Sequence, residues 1–188
     1  MAVINLQKTK EIPAETATME KAQRIPMSGS PQKRYGHSDM PRAIVSFPIE
    51  PGADAEYENM HALHESGDFY VLDNSPFYVF DISCGDTFSI EEGGGRILFK
   101  SVSKRGGHST YRVKMPIGVG HDKFELSWSE IGALGCSYEG SDANARRIYS
   151  IDIPPGVSVH AVYELLEKNE QAGIWEFEEV HYFEPVTH

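Results

Sequence analysis

The chain has 188 residues, 40% of them hydrophobic and 11% aromatic, enough for a single globular domain of ordinary size, or two small halves, with a real core. Its 17 lysines and arginines stand against 28 aspartates and glutamates, a net charge of −11 that disfavours nucleic acid and anionic membrane and favours a basic protein partner. No apolar run approaches a signal peptide or a membrane span, and Cys84 and Cys136 have neither metal-knuckle nor C-x-x-C spacing, so a reduced, cytoplasmic protein with two buried thiols is expected.

Residues 1–42 mix Lys, Glu, Thr, Ser, Gln and Pro, with no aromatic before Tyr35, and are expected to form a disordered leader. They bury too little apolar surface to offset the entropy of ordering. They carry seven basic and four acidic residues, net +3, which leaves −14 for the remainder.

Residues 43–106 carry the signature of a β-rich subdomain. Ala43–Phe47, Tyr57–Leu63, Phe69–Leu72, Thr87–Ile90 and Arg96–Val102 are short strand-like runs separated by Gly, Pro, Asp and Asn. Five such runs at hairpin spacing predict a small antiparallel β-barrel-like half. Within it, His61-x-x-His64 lacks a third ligand at a recognisable spacing, so no metal is assigned. Gly93-Gly94-Gly95 invites a phosphate-loop reading, which fails because neither a Lys-Ser/Thr pair nor a helix start follows it, and no cofactor is expected. Asp73-Asn74-Ser75-Pro76-Phe77 is a turn pinned by its own side chains. A sharper reading has Asp73 and Asn74 facing a pocket also reached by His108.

Gly106-Gly107-His108-Ser109-Thr110-Tyr111-Arg112 packs a histidine, two hydroxyls and an arginine behind two glycines. Paired glycines allow close backbone approach or positive φ, so the stretch is either a site or the joint between two halves. Thr110–Met115 then alternates, with Tyr111, Val113 and Met115 on one face, as in a half-buried strand. Ser127-Trp128-Ser129-Glu130 fits a capping box for a short helix ended by Gly135, with Leu126 and Ile131 as its hydrophobic staple. Cys136–Glu139 and Arg147–Ile153 make a hairpin, Ser158–Gln171 an amphipathic helix, and Ile174–Tyr182 a last strand. Strand, helix, strand, strand, helix, strand is the ferredoxin-like (βαββαβ) order, expected over residues 107–183, with 184–188 as a tail. The fold class is α+β.

The segments Leu72-Asp73-Asn74-x-Pro76-Phe77, Gly85-Asp86, Gly107-His108-Ser109-Thr110-x-Arg112, Leu134-Gly135-Cys136 and Asp152-Ile153-Pro154, the last followed by a helix and a Trp/Glu-rich strand, carry a resemblance. Over about residues 43–183 the chain resembles the bacterial family known as domain of unknown function 4265. That resemblance implies no activity and no residue roles. Some small acidic bacterial proteins of this sort serve as immunity partners in toxin systems, and the analogy extends to this chain.

Two functions follow. The first is an acidic protein-binding module, in its most concrete form an immunity protein whose surface blocks a basic toxin. Glu176, Glu178 and Glu179 would steer that partner, and Trp175 and Tyr182 would anchor it. The second is a small-ligand binder or enzyme with a pocket around Asp73, Asn74, His108, Ser109, Thr110 and Arg112, His108 acting as a base oriented by Asp73. Ser109 and His108 are not a nucleophilic dyad, because adjacent side chains on a strand point to opposite faces.

Overall fold

The computed structural model describes residues 40–51, 55–141 and 146–184. The expectations for residues 1–39 of the leader and for 185–188 of the tail lie outside the described residues; Arg42 opens the first strand. Strands β1 (Arg42–Pro48), β2 (Tyr57–Ser66), β3 (Phe69–Leu72), β4 (Thr87–Gly93) and β5 (Arg96–Lys104) form a closed barrel. Consecutive strands pair antiparallel, and closure comes from a parallel contact of β1 with β5, at Ser46 opposite Leu98. Alternation puts Val45 and Phe47 of β1 and Met60 and Ala62 of β2 inside, where Phe47 meets Phe99 at 4.8 Å and Phe88 at 5.1 Å between ring centroids.

The second half runs β6 (Ser109–Lys114), α1 (His121–Ala133), β7 (Ser137–Ser141), β8 (Ile148–Ile153), α2 (Val159–Gln171) and β9 (Glu176–His181). Its sheet has the order β7-β8-β6-β9, with every neighbour antiparallel. The chain is therefore α+β. A second core joins Tyr111, Val113 and Met115 of the β6 segment to Tyr149, Ile151 and Ile153 of β8, Phe124 and Ile131 of α1, and Val162 and Leu166 of α2. The Ser158 hydroxyl caps α2 by accepting the Ala161 N–H at 3.2 Å. No described helix is long and apolar enough to cross a membrane.

The structure departs from three expectations. The helix expected behind a capping box at Ser127 starts seven residues earlier, at His121, behind Gly120, which supplies no side-chain cap. The i, i+7 pair Phe124 and Ile131 sets the buried stripe, so Ser127 is mid-helix, and Leu126, 78% exposed, staples nothing. Strand β6 is not half-buried: Ser109 to Val113 are all buried. Trp175, expected as a surface anchor, is 2% exposed and donates its indole N–H to the Leu166 carbonyl at 3.1 Å.

The cover on the second face of β6 is residues 73–86, between β3 and β4. Gly85 N–H bonds Leu72 O at 2.8 Å and Leu72 N–H bonds Asp86 O at 3.0 Å, so the ends of this excursion meet as in an Ω-loop. It is buried, unlike most loops: Asn74, Ser75, Phe77, Val79, Ile82, Ser83 and Cys84 are inside, and Val79 and Ile82 belong to the barrel core. A buried loop needs partners for its peptide groups, and both halves supply them. The Glu58 carboxylate, from β2, accepts the N–H groups of Phe77, Tyr78 and Val79 at 2.7, 2.9 and 3.0 Å. Glu139 of β7 accepts Ser75 N–H at 3.1 Å, and Ser150 of β8 donates to Pro76 O at 2.7 Å.

Candidate functional site

The predicted site residues sit along this seam. Gly106 comes so close to Gly85 that a Cβ would stand 2.4 Å from that carbonyl, and Gly107 adopts φ +86°. Both of the properties expected of paired glycines are used in the turn from β5 to β6. The Gly106 N–H and the Arg105 guanidinium both bond the buried Asp86 carboxylate, at 2.8 and 2.7 Å.

The turn delivers His108 to Asp152 on β8, with Nδ1 2.7 Å from Oδ1 and both residues buried; the other Asp152 oxygen lies 3.5 Å from the Ser137 hydroxyl. Asp152 lies opposite Thr110 and Ser137 in the two ladders, so three strands converge on this pair. The carboxylate beside His108 is therefore Asp152. Asp73, at the end of β3, instead pairs with Arg42 of β1 at 3.0 Å. Asn74 accepts His61 N–H at 2.5 Å and donates to Glu139 at 3.0 Å. Ser109 accepts the Phe183 N–H at 2.9 Å, and Thr110 shares a 2.9 Å hydrogen bond with Ser83.

Arg112 donates to Phe77 O at 2.5 Å, lies 3.2 Å from Glu178, and holds its guanidinium 4.1 Å above the Phe80 ring. Its Nη2 meets no hydrogen-bond acceptor among the described residues, and the ring face supplies electrostatic compensation instead. Burial pushes its pKa down, with Glu178 and then Glu58 opposing. Asp73, His108 and Arg112 are thus committed to three separate counter-groups, Arg42, Asp152 and Glu178.

An imidazole–carboxylate pair can orient a base, but the hydroxyls of this stretch are bound to loop and backbone groups. Replacing His108 by Ala leaves Asp152 as a buried carboxylate without its imidazole, and a loss of about 2 kcal/mol in urea-melt stability is expected. His108→Asn should recover some of that loss. An unchanged midpoint for His108→Ala would refute a structural role for the pair.

The three glutamates of β9 expected to steer a partner do not form one patch, since alternation splits them. Glu176 and Glu178 share the face of Lys114 and Arg112, while Glu179 shares that of Tyr111. Glu176 pairs with Arg146 at 2.7 Å, and Glu178 with Lys114 at 2.7 Å. Glu179 accepts the Tyr111 hydroxyl at 2.8 Å in a groove of about 300 Å³, open to the surface, whose walls include Tyr163, Tyr182, Val159 and His160. Burial, then the Glu179 hydrogen bond, pushes the Tyr111 pKa up, so the phenol stays a donor at neutral pH. Tyr163 packs edge-on to Tyr111 at 6.4 Å and to Phe177 at 5.5 Å. Tyr163 and Tyr182 are exposed. Tyr182 is legible from sequence as a terminal-strand aromatic, whereas Tyr163 is not, because its neighbours on this surface lie on other elements.

The Cys136 thiol is pushed up to about 12 by burial and remains protonated, and Cys84 is fully buried. His64 bonds the Gly67 carbonyl at 2.8 Å within its own hairpin.

A family model described as a domain of unknown function (DUF4265) matches residues 58–177. No curated protein matches the chain. The crystal structure of a hypothetical protein from Neisseria gonorrhoeae superposes with a TM-score of 0.58 at 15% identity, covering 75% of this chain and 94% of that one. That likeness is one of fold.

Proposed function

The chain belongs to the DUF4265 family, a domain of unknown function, and from that premise we propose that it is an acidic protein-binding module, in its most concrete form a cytoplasmic immunity protein that neutralises a basic toxin by direct binding. The observation that carries this reading is the open tyrosine-lined groove holding Glu179, in a chain whose residues beyond 42 total −14. Exposed Glu164, Glu167 and Glu184 extend the acidic field on α2 and beyond β9. Such a field accelerates encounter with a basic protein, while aromatic side chains at the contact slow its release. With Trp175 in the core, Tyr163 and Tyr182 take the anchoring role. We read the second half as ferredoxin-like, which the sheet order β7-β8-β6-β9 and the βαββαβ succession support.

The test begins with the neighbouring reading frame. If that gene encodes a protein with a growth-arresting C-terminal region, co-expression of this chain should restore growth, and complex formation should slow at least tenfold as salt rises from low to high ionic strength. Failure to rescue would sink the immunity form of the reading. A second reading, a small-ligand binder or enzyme, draws support from the buried His108–Asp152 pair alone, since Asp73 and Arg112 are paired elsewhere.

A further inference from the structure

We propose that the groove between α2 and β9 receives an arginine side chain of the basic partner, with the guanidinium stacked between the Tyr163 and Tyr182 rings and bonded to Glu179. The inference rests on the reading of the chain as a module for basic proteins, and names the region of the surface that discriminates.

The groove has the chemistry of a cation site. It is lined by the buried Tyr111, by the two exposed phenols of Tyr163 and Tyr182, and by one carboxylate, Glu179. Aromatic faces attract a cation through the ring quadrupole, and the attraction grows as water is excluded. Tyr111 donates to one Glu179 oxygen, which fixes the carboxylate's direction before any ligand arrives. A volume of about 300 Å³ is at the small end of ligand sites, suited to one long side chain.

Arginine fits better than lysine. A planar guanidinium stacks on phenol rings and presents parallel N–H donors to a carboxylate, whereas an ammonium is a compact, strongly hydrated charge. An anionic occupant is disfavoured by Glu179 and by Glu164 one turn along α2 from His160. The opposite face of β9 offers no such site, because Glu176 and Glu178 there are already paired with Arg146, Arg112 and Lys114.

The experiment titrates the full chain with hexa-arginine, hexa-lysine and hexa-citrulline peptides at low salt, following anisotropy of a labelled peptide. Hexa-arginine should bind most tightly and hexa-citrulline not at all. Glu179→Gln, which keeps an acceptor for Tyr111, and Tyr163→Ala, an exposed position, should each weaken hexa-arginine by about tenfold. Glu65→Gln, an exposed charge removed from the barrel, should change it by less than about twofold. Equal effects of Glu179→Gln and Glu65→Gln, or equal affinity for the arginine and lysine peptides, overturn the groove and leave the acidic module standing. No binding of either cationic peptide at low salt overturns both.

Discussion

Gly106→Ala is expected to destabilise the protein by about 3 kcal/mol or more, on the order of a 10 °C fall in melting temperature for a chain of this size. The added methyl would lie 2.4 Å from the carbonyl carbon and oxygen of Gly85 and 2.9 Å from its Cα. These are backbone atoms, so no rotamer change relieves the overlap. Nor can Gly85 retreat cheaply. Its N–H holds Leu72 O, and the adjacent Asp86 binds Gly106 N–H, Ser83 N–H and Arg105 at 0% exposure. Moving either segment breaks the loop closure that covers β6. Gly107→Ala is milder by comparison in space, with Pro155 Cγ at 3.1 Å, but suffers from its φ of +86°. Denaturant titration of both variants checks this, and a Gly106→Ala midpoint equal to the parent's would mean that the joint opens at no cost.

Glu58→Ala should cost about 3–4 kcal/mol, because three buried peptide N–H groups lose one shared acceptor. Glu58 lies opposite Phe47 in the β1–β2 ladder, so its side chain projects to the barrel interior side and meets the loop from within. Glu58→Gln retains an acceptor oxygen and should lose roughly half as much. The pH dependence separates charge from geometry. Burial pushes the Glu58 pKa above its ordinary 4.5, against the pull of the three backbone donors and Arg112. A carboxyl raised on folding contributes stability that is complete below its unfolded pKa and fades as pH rises through the folded one. The parent's advantage over Glu58→Gln should therefore be largest in acid and shrink toward neutrality. An advantage that grows with pH would contradict the assignment.

Much of the architecture was legible as periodicity. The β-branched and aromatic runs at hairpin spacing gave five strands, and the Tyr111, Val113, Met115 alternation gave the core face of β6. The amphipathic helix expected over Ser158–Gln171 is found one residue shorter, over Val159–Gln171, with Ser158 as its cap through the Ala161 N–H. Ser127 satisfied the same local rule without being a cap, since Phe124 had already committed that segment to helix. Glu178 and Glu179, adjacent on β9, face opposite ways as strand alternation requires, so the β9 acids cannot act as one patch.

For the site, composition and order along the chain determined the acidic balance, the paired glycines and the presence of His108, Arg112 and Asp152 on or beside strands. They could not assign partners. Which carboxylate meets His108 depends on β8 lying beside β6, a contact 44 residues distant, and the burial of Trp175 depends on α2 packing across the sheet. The Asp73 turn is expected to be pinned by its own side chains, but a loop buries itself only when side chains from elsewhere satisfy its peptide groups. Glu58, Glu139, Ser150 and Arg112 do so, and none is a neighbour of the loop in sequence. Local propensity and alternation act over a few residues and are written in the chain; the pairing of buried polar groups is a property of strands brought together, and only the tertiary structure decides it.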